Sequence, residues 1–215
     1  FIGVTYHVNP GKYPLTIKVQ RASGITLVLS EEITVLPKKF TKQYLYVSQE
    51  IASKRDENLW KNDSLFISKA KATSSNKALF EGSFIMPVTG RISTEYGLIR
   101  YINNKLNGRH SGLDIAAKKG TPIIASNSGK IALSKSLNVT GNTIIIDHGM
   151  NIFSAYCHLD KMLVKEGDFV KKGDIIGKVG STGFSTGPHL HWTISIGSTF
   201  TNPRLLLEKN PLSWI

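Results

Sequence analysis

Two histidines stand one residue apart in "GPHLHW", residues 187 to 192, within a chain of 215 residues that holds only 6 histidines. If that stretch is a β-strand, alternation sends His189 and His191 to one face and Leu190 to the other. Upstream, "RHSGLDIAA" carries His110 and Asp114, and "YCHLD" carries His158. Zinc takes imidazole nitrogen and carboxylate oxygen, and a catalytic site commonly uses three protein ligands with a fourth position left for water. Two histidines and one aspartate meet that requirement. The spacing from His110 to Asp114, interrupted by Ser-Gly, suits a turn running into a strand and can fold both side chains toward one point; His191 would close the set. His158 and His189 are then free for orienting or general-base work. His148 and His7 have no comparable partners and read as structural or surface residues.

The elements that must position these groups are short strands. From Gly82 onward the chain is all turns and brief apolar runs and holds most of the 19 glycines. Strands are expected near 129 to 134, 142 to 147, 152 to 158, 175 to 179 and 189 to 196, each bounded by Gly, Asn or Ser. With no helices between them, they predict an antiparallel, mainly β domain. Along "IFSAYCH", alternation places Tyr156 and His158 on one face and turns Cys157 away into the core, where a free thiol packs as a small hydrophobe. "KEGDFV" and "KKGDII" form a near-repeat, two strand starts each introduced by a Gly-Asp turn. "GSTGFSTGP" suits a tight backbone path at a cleft rim.

Residues 1 to 48 also read as β, with "YPLTIKVQ" and "GITLVLSEEITVL" broken by turn residues, and are expected to form part of a small β-sandwich-like module. Residues 49 to 80 are rich in Ser, Asn, Lys and Asp. There Leu59, Trp60, Phe66, Ile67 and Ala70 recur at helical spacing, predicting a connector with one short amphipathic helix. The expected organisation is thus a module over 1–48, a connector over 49–80, the main domain over 81–205 and a tail over 206–215.

Composition sets bounds. The apolar fraction of 40% suits a folded globular chain. No run approaches the roughly 20 apolar residues of a membrane-spanning helix, and no signal peptide is visible. The single cysteine excludes an internal disulfide. The net charge of +12 implies attraction to polyanions. Its lysines are scattered in pairs, without an arginine-rich helix or an aromatic-plus-basic strand, which argues against a nucleic-acid module.

Taken in order, "HSGLD", "GTPIIASNSGKI", "GNTIIIDHG", "YCHLD", "VKEGDFVKKGDIIGKVGSTG" and "STGPHLHW" resemble the lysostaphin and LytM type of zinc endopeptidases, over about residues 82 to 203. The resemblance implies a LytM-like β-sheet domain in which His110, Asp114 and His191 bind Zn2+ and His158 and His189 are catalytic. It implies hydrolysis of stem or cross-bridge peptides of peptidoglycan, in a bacterial cell envelope, periplasmic or secreted. Similar proteins have an arginine close to the site where Arg100 stands; a surface salt bridge is the expectation for it here. Which of His158 and His189 is the base, and which peptide bond is cut, stay open.

Two other readings are weaker. A phosphohistidine carrier shares a similar hairpin arrangement, but Asp114 would repel a phosphorylated imidazole, whereas a zinc site accepts the carboxylate. A catalytically silent LytM-like domain that binds wall or activates another hydrolase would be expected to lack ligands, and this chain has all five side chains.

Overall fold

The computed structural model describes residues 1–21, 23–54 and 56–214. The chain opens with a long hairpin of β1 (Gly11–Gln20) and β2 (Thr26–Val35), followed by β3 (Lys42–Leu45), α1 (Gln49–Ser53) and α2 (Glu57–Ala70). Next come β4 (Arg91–Thr94), β5 (Ile99–Ile102), β6 (Lys105–Arg109), β7 (Leu113–Ala116) and β8 (Pro122–Ile124). The central run is β9 (Gly129–Ser136), β10 (Asn142–Asp147), β11 (Ile152–Met162), β12 (Phe169–Val170) and β13 (Ile175–Val179). The chain closes with β14 (His189–Ile196), β15 (Thr199–Thr201), α3 (Arg204–Glu208) and a 3-10 turn over Pro211–Trp214.

The main sheet is antiparallel, and its central path runs β12-β9-β10-β11-β14-β7-β4, with β13 and β8 paired beyond β11 and β15 beside β14. Each expected strand from 129 to 196 is present. The near-repeat makes two like turns. In each, an aspartate carboxylate caps the backbone three residues earlier, Asp168 accepting from Lys165 N and Asp174 from Lys171 N, with Gly167 and Gly173 at positive φ. Side chains of the inner face form one core that includes Trp192, Tyr156, Leu190, Ile194 and Leu113. On the opposite face Leu133, Ile145, Phe153, Ala155 and Cys157 make a second cluster.

That second cluster needs a cover, and the connector after β3 supplies it. Among its described residues the connector holds two helices where one short helix is expected, and α2 packs Ile67 and Ala70 onto the Leu133–Phe153 cluster. Asp56 caps it, accepting from Asn58 N and Leu59 N. One buried carboxylate fixes the helix to the sheet: Asp63 accepts from Asn138 N at 3.0 Å, Asn138 Nδ2 at 2.9 Å and Val139 N at 2.7 Å. Asp63→Ala strands these donors and is expected to cost about 2–4 kcal/mol in urea denaturation, with Asp63→Asn losing less. Lys71, next along, donates to Ser195 Oγ at 2.8 Å, and burial pushes its amine down to about 8.

The N-terminal region departs from expectation. β1 and β2 form a two-stranded sheet with no second sheet against it among the described residues, so the sandwich is replaced by an open hairpin. A sandwich needs two facing apolar layers. Here Ile17 and Val19 stay exposed, as do Leu27, Val28 and Leu29. β3 instead pairs parallel with β5, within a small sheet of β3, β5 and β6, an exception to the antiparallel pattern. The expected tail also contributes to the core, since Leu206 is buried and Leu207 and Leu212 pack beside it.

Candidate metal centre

Register builds the site. Asp114 in β7 lies directly opposite His191 in β14, and His189 opposite Ala116. Directly paired residues share a face with Cβ atoms about 4.5–5.5 Å apart, so carboxylate and imidazole meet. Leu190 and Trp192, fully buried, point to the inner core, and the alternation expected across "GPHLHW" therefore holds. His110 follows β6 in the turn into β7, where its backbone is tied to Leu98 O and Gly97 N. A Cβ at Gly112 would overlap the Trp192 carbonyl oxygen, which is why a glycine stands in this turn.

The inward atoms converge. His110 Nε2 lies 2.8 Å from Asp114 Oδ1 and 3.0 Å from His191 Nδ1, and His191 Nδ1 lies 2.7 Å from the same carboxylate oxygen. His110 Nδ1 donates to Glu95 O at 3.0 Å, so the neutral ring aims a lone pair inward. Two imidazole nitrogens and one carboxylate oxygen thus face one point. A cation would complete that arrangement, and these three residues form a group able to hold a metal ion. Burial penalises the Asp114 charge, but its bonds with His110 and His191 and the positive charge those rings can carry outweigh it and hold the carboxyl well below its usual range. Burial pushes His191 down to about 4, so the ring is neutral, as a ligand must be.

Arg100 is not a surface bridge. Its Nη2 donates to Asp114 Oδ2 at 3.2 Å, on the side away from the histidines, and its side chain is only 15% exposed. Gln43, its direct neighbour in the β3–β5 pair, accepts from Arg100 Nε at 2.9 Å. Gln43 leaves no trace in the local sequence pattern, because a parallel partner so far upstream imposes no period of its own.

His158 reaches the site by a bulge. Ile144 pairs with Tyr156 and Asn142 with Leu159, so β11 carries one extra residue, and His158 takes φ +65°. Tyr156 and Leu159 both enter the inner core, and the expected sharing of a face by Tyr156 and His158 does not hold. A left-handed non-glycine residue costs roughly 1–2 kcal/mol. Bonds from two loops hold it there: His158 N donates to Thr140 O, and its Nδ1 donates to Thr182 O at 2.8 Å. Burial, then the charges of His189 and His191, press its pKa down to about 3. Its ring centroid lies 4.8 Å from that of His189, whose Nδ1 donates to Gly187 O at 2.8 Å. Both rings thus turn Nε2 away from these carbonyls, and His189 Nε2 stands 3.8 Å from Asp114 Oδ1. Cys157 packs in the outer cluster, where burial raises its thiol to about 12.

All five side chains line one cleft of about 360 Å³. Its rim includes residues 184 to 188, from the glycine-rich turn, and its upstream wall includes Gln43, Leu45 and Trp60.

Comparison with known proteins matches the segment that carries this site. A family model described as Peptidase family M23 matches residues 108–203. The peptidoglycan DD-endopeptidase ShyC of Vibrio cholerae is 36% identical over 134 residues, 62% of this chain and 27% of that protein. The chain spans about a third or less of the length of the first curated relatives it matches. Among solved structures, a putative peptidase M23 from Pseudomonas aeruginosa superposes with TM-score 0.73 at 29% identity, over 96% of this chain and 77% of that one. A zinc-containing peptidase from Vibrio cholerae gives 0.53 at 31% identity, over 56% and 39%. The catalytic domain of lysostaphin from Staphylococcus simulans gives 0.51 at 38% identity, over 55% of this chain and 92% of that domain. With the family model matching residues 108–203 and the lysostaphin catalytic domain 38% identical and matched over 92% of its length, the chain belongs to peptidase family M23.

Proposed function

We propose that this chain is a zinc endopeptidase that hydrolyses peptide cross-links or stem peptides of bacterial peptidoglycan. The observation that carries the reading is the convergence of His110 Nε2, Asp114 Oδ1 and His191 Nδ1 in a cleft that two further imidazoles also face. The name of the Vibrio cholerae DD-endopeptidase supports the substrate, and that of the zinc-containing peptidase supports the metal. A wall substrate places the protein in the cell envelope, periplasmic or secreted. Among the described residues no helix is long and apolar enough to cross a membrane.

His110, Asp114 and His191 would hold the ion. When bound, zinc polarises the scissile carbonyl and lowers the pKa of water toward neutrality. Arg100 fixes Asp114 by its second oxygen, leaving Oδ1 between His110 and His191, where it would serve as a ligand, and Gln43 keeps Arg100 in place. His189 takes the proton of the attacking water at Nε2, which faces the cleft while its Nδ1 donates to Gly187 O. His158, held neutral by burial, orients the water through its own Nε2 lone pair. The backbone carbonyls of Gly187 and Thr182 fix both tautomers.

Digestion of purified peptidoglycan followed by mass analysis tests the reading. Soluble fragments are expected from the native chain, none after chelation, and recovery on adding zinc. The fragment masses name the bond. A metal-loaded chain that releases nothing would make it a silent homologue.

A further inference from the structure

Arg109 stands at the end of β6, one residue before His110, and lines the same cleft. Its guanidinium lies 4.7 Å from the centre of the Phe40 ring and 5.9 Å from that of Tyr6. Phe40 in turn rests on Gly97, at φ +83°, where a Cβ would overlap the ring. Stacking engages the face of a guanidinium and leaves its edge donors for a planar partner. Here Gly97 O takes one of them, Nη1, at 3.4 Å.

The other site-facing arginine has its acid, Arg100 with Asp114, and Arg204 outside the cleft pairs with Glu95. Among the described residues no carboxylate lies within ion-pair reach of Arg109. A half-buried cation, stacked in place beside a hydrolytic centre and lacking its own counter-charge, fits a charge brought by the substrate. Stem peptides of the wall bring such charges, since γ-linked glutamate and diaminopimelate can leave carboxylates free along the strand.

We propose that Arg109 binds a backbone carboxylate of the stem peptide and so sets which bond is presented to the site, a claim that rests on the endopeptidase reading for its substrate. Tyr6 and Phe40, both upstream of the segment matched by the family model, make the arginine a rigid receptor.

Calorimetry tests this in the His189→Ala background, so that the ligand is not consumed. The probes are a synthetic stem peptide with free carboxylates, the same peptide amidated at glutamate, and the same peptide amidated at diaminopimelate. Arg109→Gln is expected to weaken binding of the free peptide about ten-fold or more, as loss of one charge-assisted pair does. Amidation at one of the two positions should weaken native binding equally and add nothing in the variant, which names the carboxylate. Arg109→Lys should recover part of the loss, since it keeps the charge without the planar fork. Equal losses on all three peptides, or no loss at all, overturn the proposal. If the coupling is found but native protein releases nothing from peptidoglycan, the endopeptidase reading alone falls. If release proceeds and the coupling is absent, only the role of Arg109 falls.

Discussion

Asp114→Ala is expected to abolish zinc binding and hydrolysis together, with turnover on purified cross-linked fragments lower by at least ~10³-fold. Asp114 is the hinge of the site. One oxygen meets both His110 and His191, and the other accepts from Arg100. Its loss removes a third of the donor set and leaves the half-buried Arg100 guanidinium with only Gln43. An uncompensated buried charge costs about 3–5 kcal/mol, so the variant should also unfold earlier in denaturant. Asp114→Asn separates the two effects. It keeps the shape and one acceptor for Arg100, and should therefore fold better than the alanine variant while still losing zinc. Metal analysis and initial rates on both proteins check the claim. Full metal content in Asp114→Asn would mean that the ion sits elsewhere.

His189→Ala should lower kcat by roughly 10²–10⁴-fold while zinc content stays near that of the native chain. His189 Nε2 points into the cleft, but its ring is outside the converging trio, 3.8 Å from the nearest carboxylate oxygen. A group that only receives a proton can be removed without emptying the site. Metal analysis beside single-turnover rates decides the matter. Loss of zinc in step with loss of rate would make His189 a ligand and return the assignment of the proton acceptor to His158.

The strands that carry the site were legible because their periods are local. "NTIIID" and "HLHWTISI" announce themselves by β-branched content and by the turn residues at their ends, and the faces of His189 and His191 follow from alternation alone. Where the local rule breaks, the sequence misleads. Nothing in "YCHLD" signals that β11 gains a residue, and the φ of His158 is dictated by Thr140 and Thr182, which lie 18 and more positions away. The burial of Arg100 is likewise a matter of register, since it needs β3 beside β5 and Asp114 beneath both. The helical spacing of Leu59 to Ala70 is visible, but the depth of α2 in the fold depends on Asp63, whose partners are two backbone amides and the Asn138 side chain of a distant loop. The hairpin of β1 and β2 shows the reverse case. Its apolar runs look like a packed layer, yet burial needs a facing sheet, which sequence patterning cannot supply.

The parallel pairing of β3 with β5 has a practical consequence. A shortened version of the chain, cut to begin at residue 108, would lose Gln43, Phe40 and Tyr6 together with the strands β3 and β5. Even a milder trim that kept β5 would bare its backbone amides and carbonyls as a free edge, a template for self-association. Such a fragment should still show the His-Asp-His motif on paper, and in solution it should be sticky, slack around Asp114 and less discriminating toward what it binds.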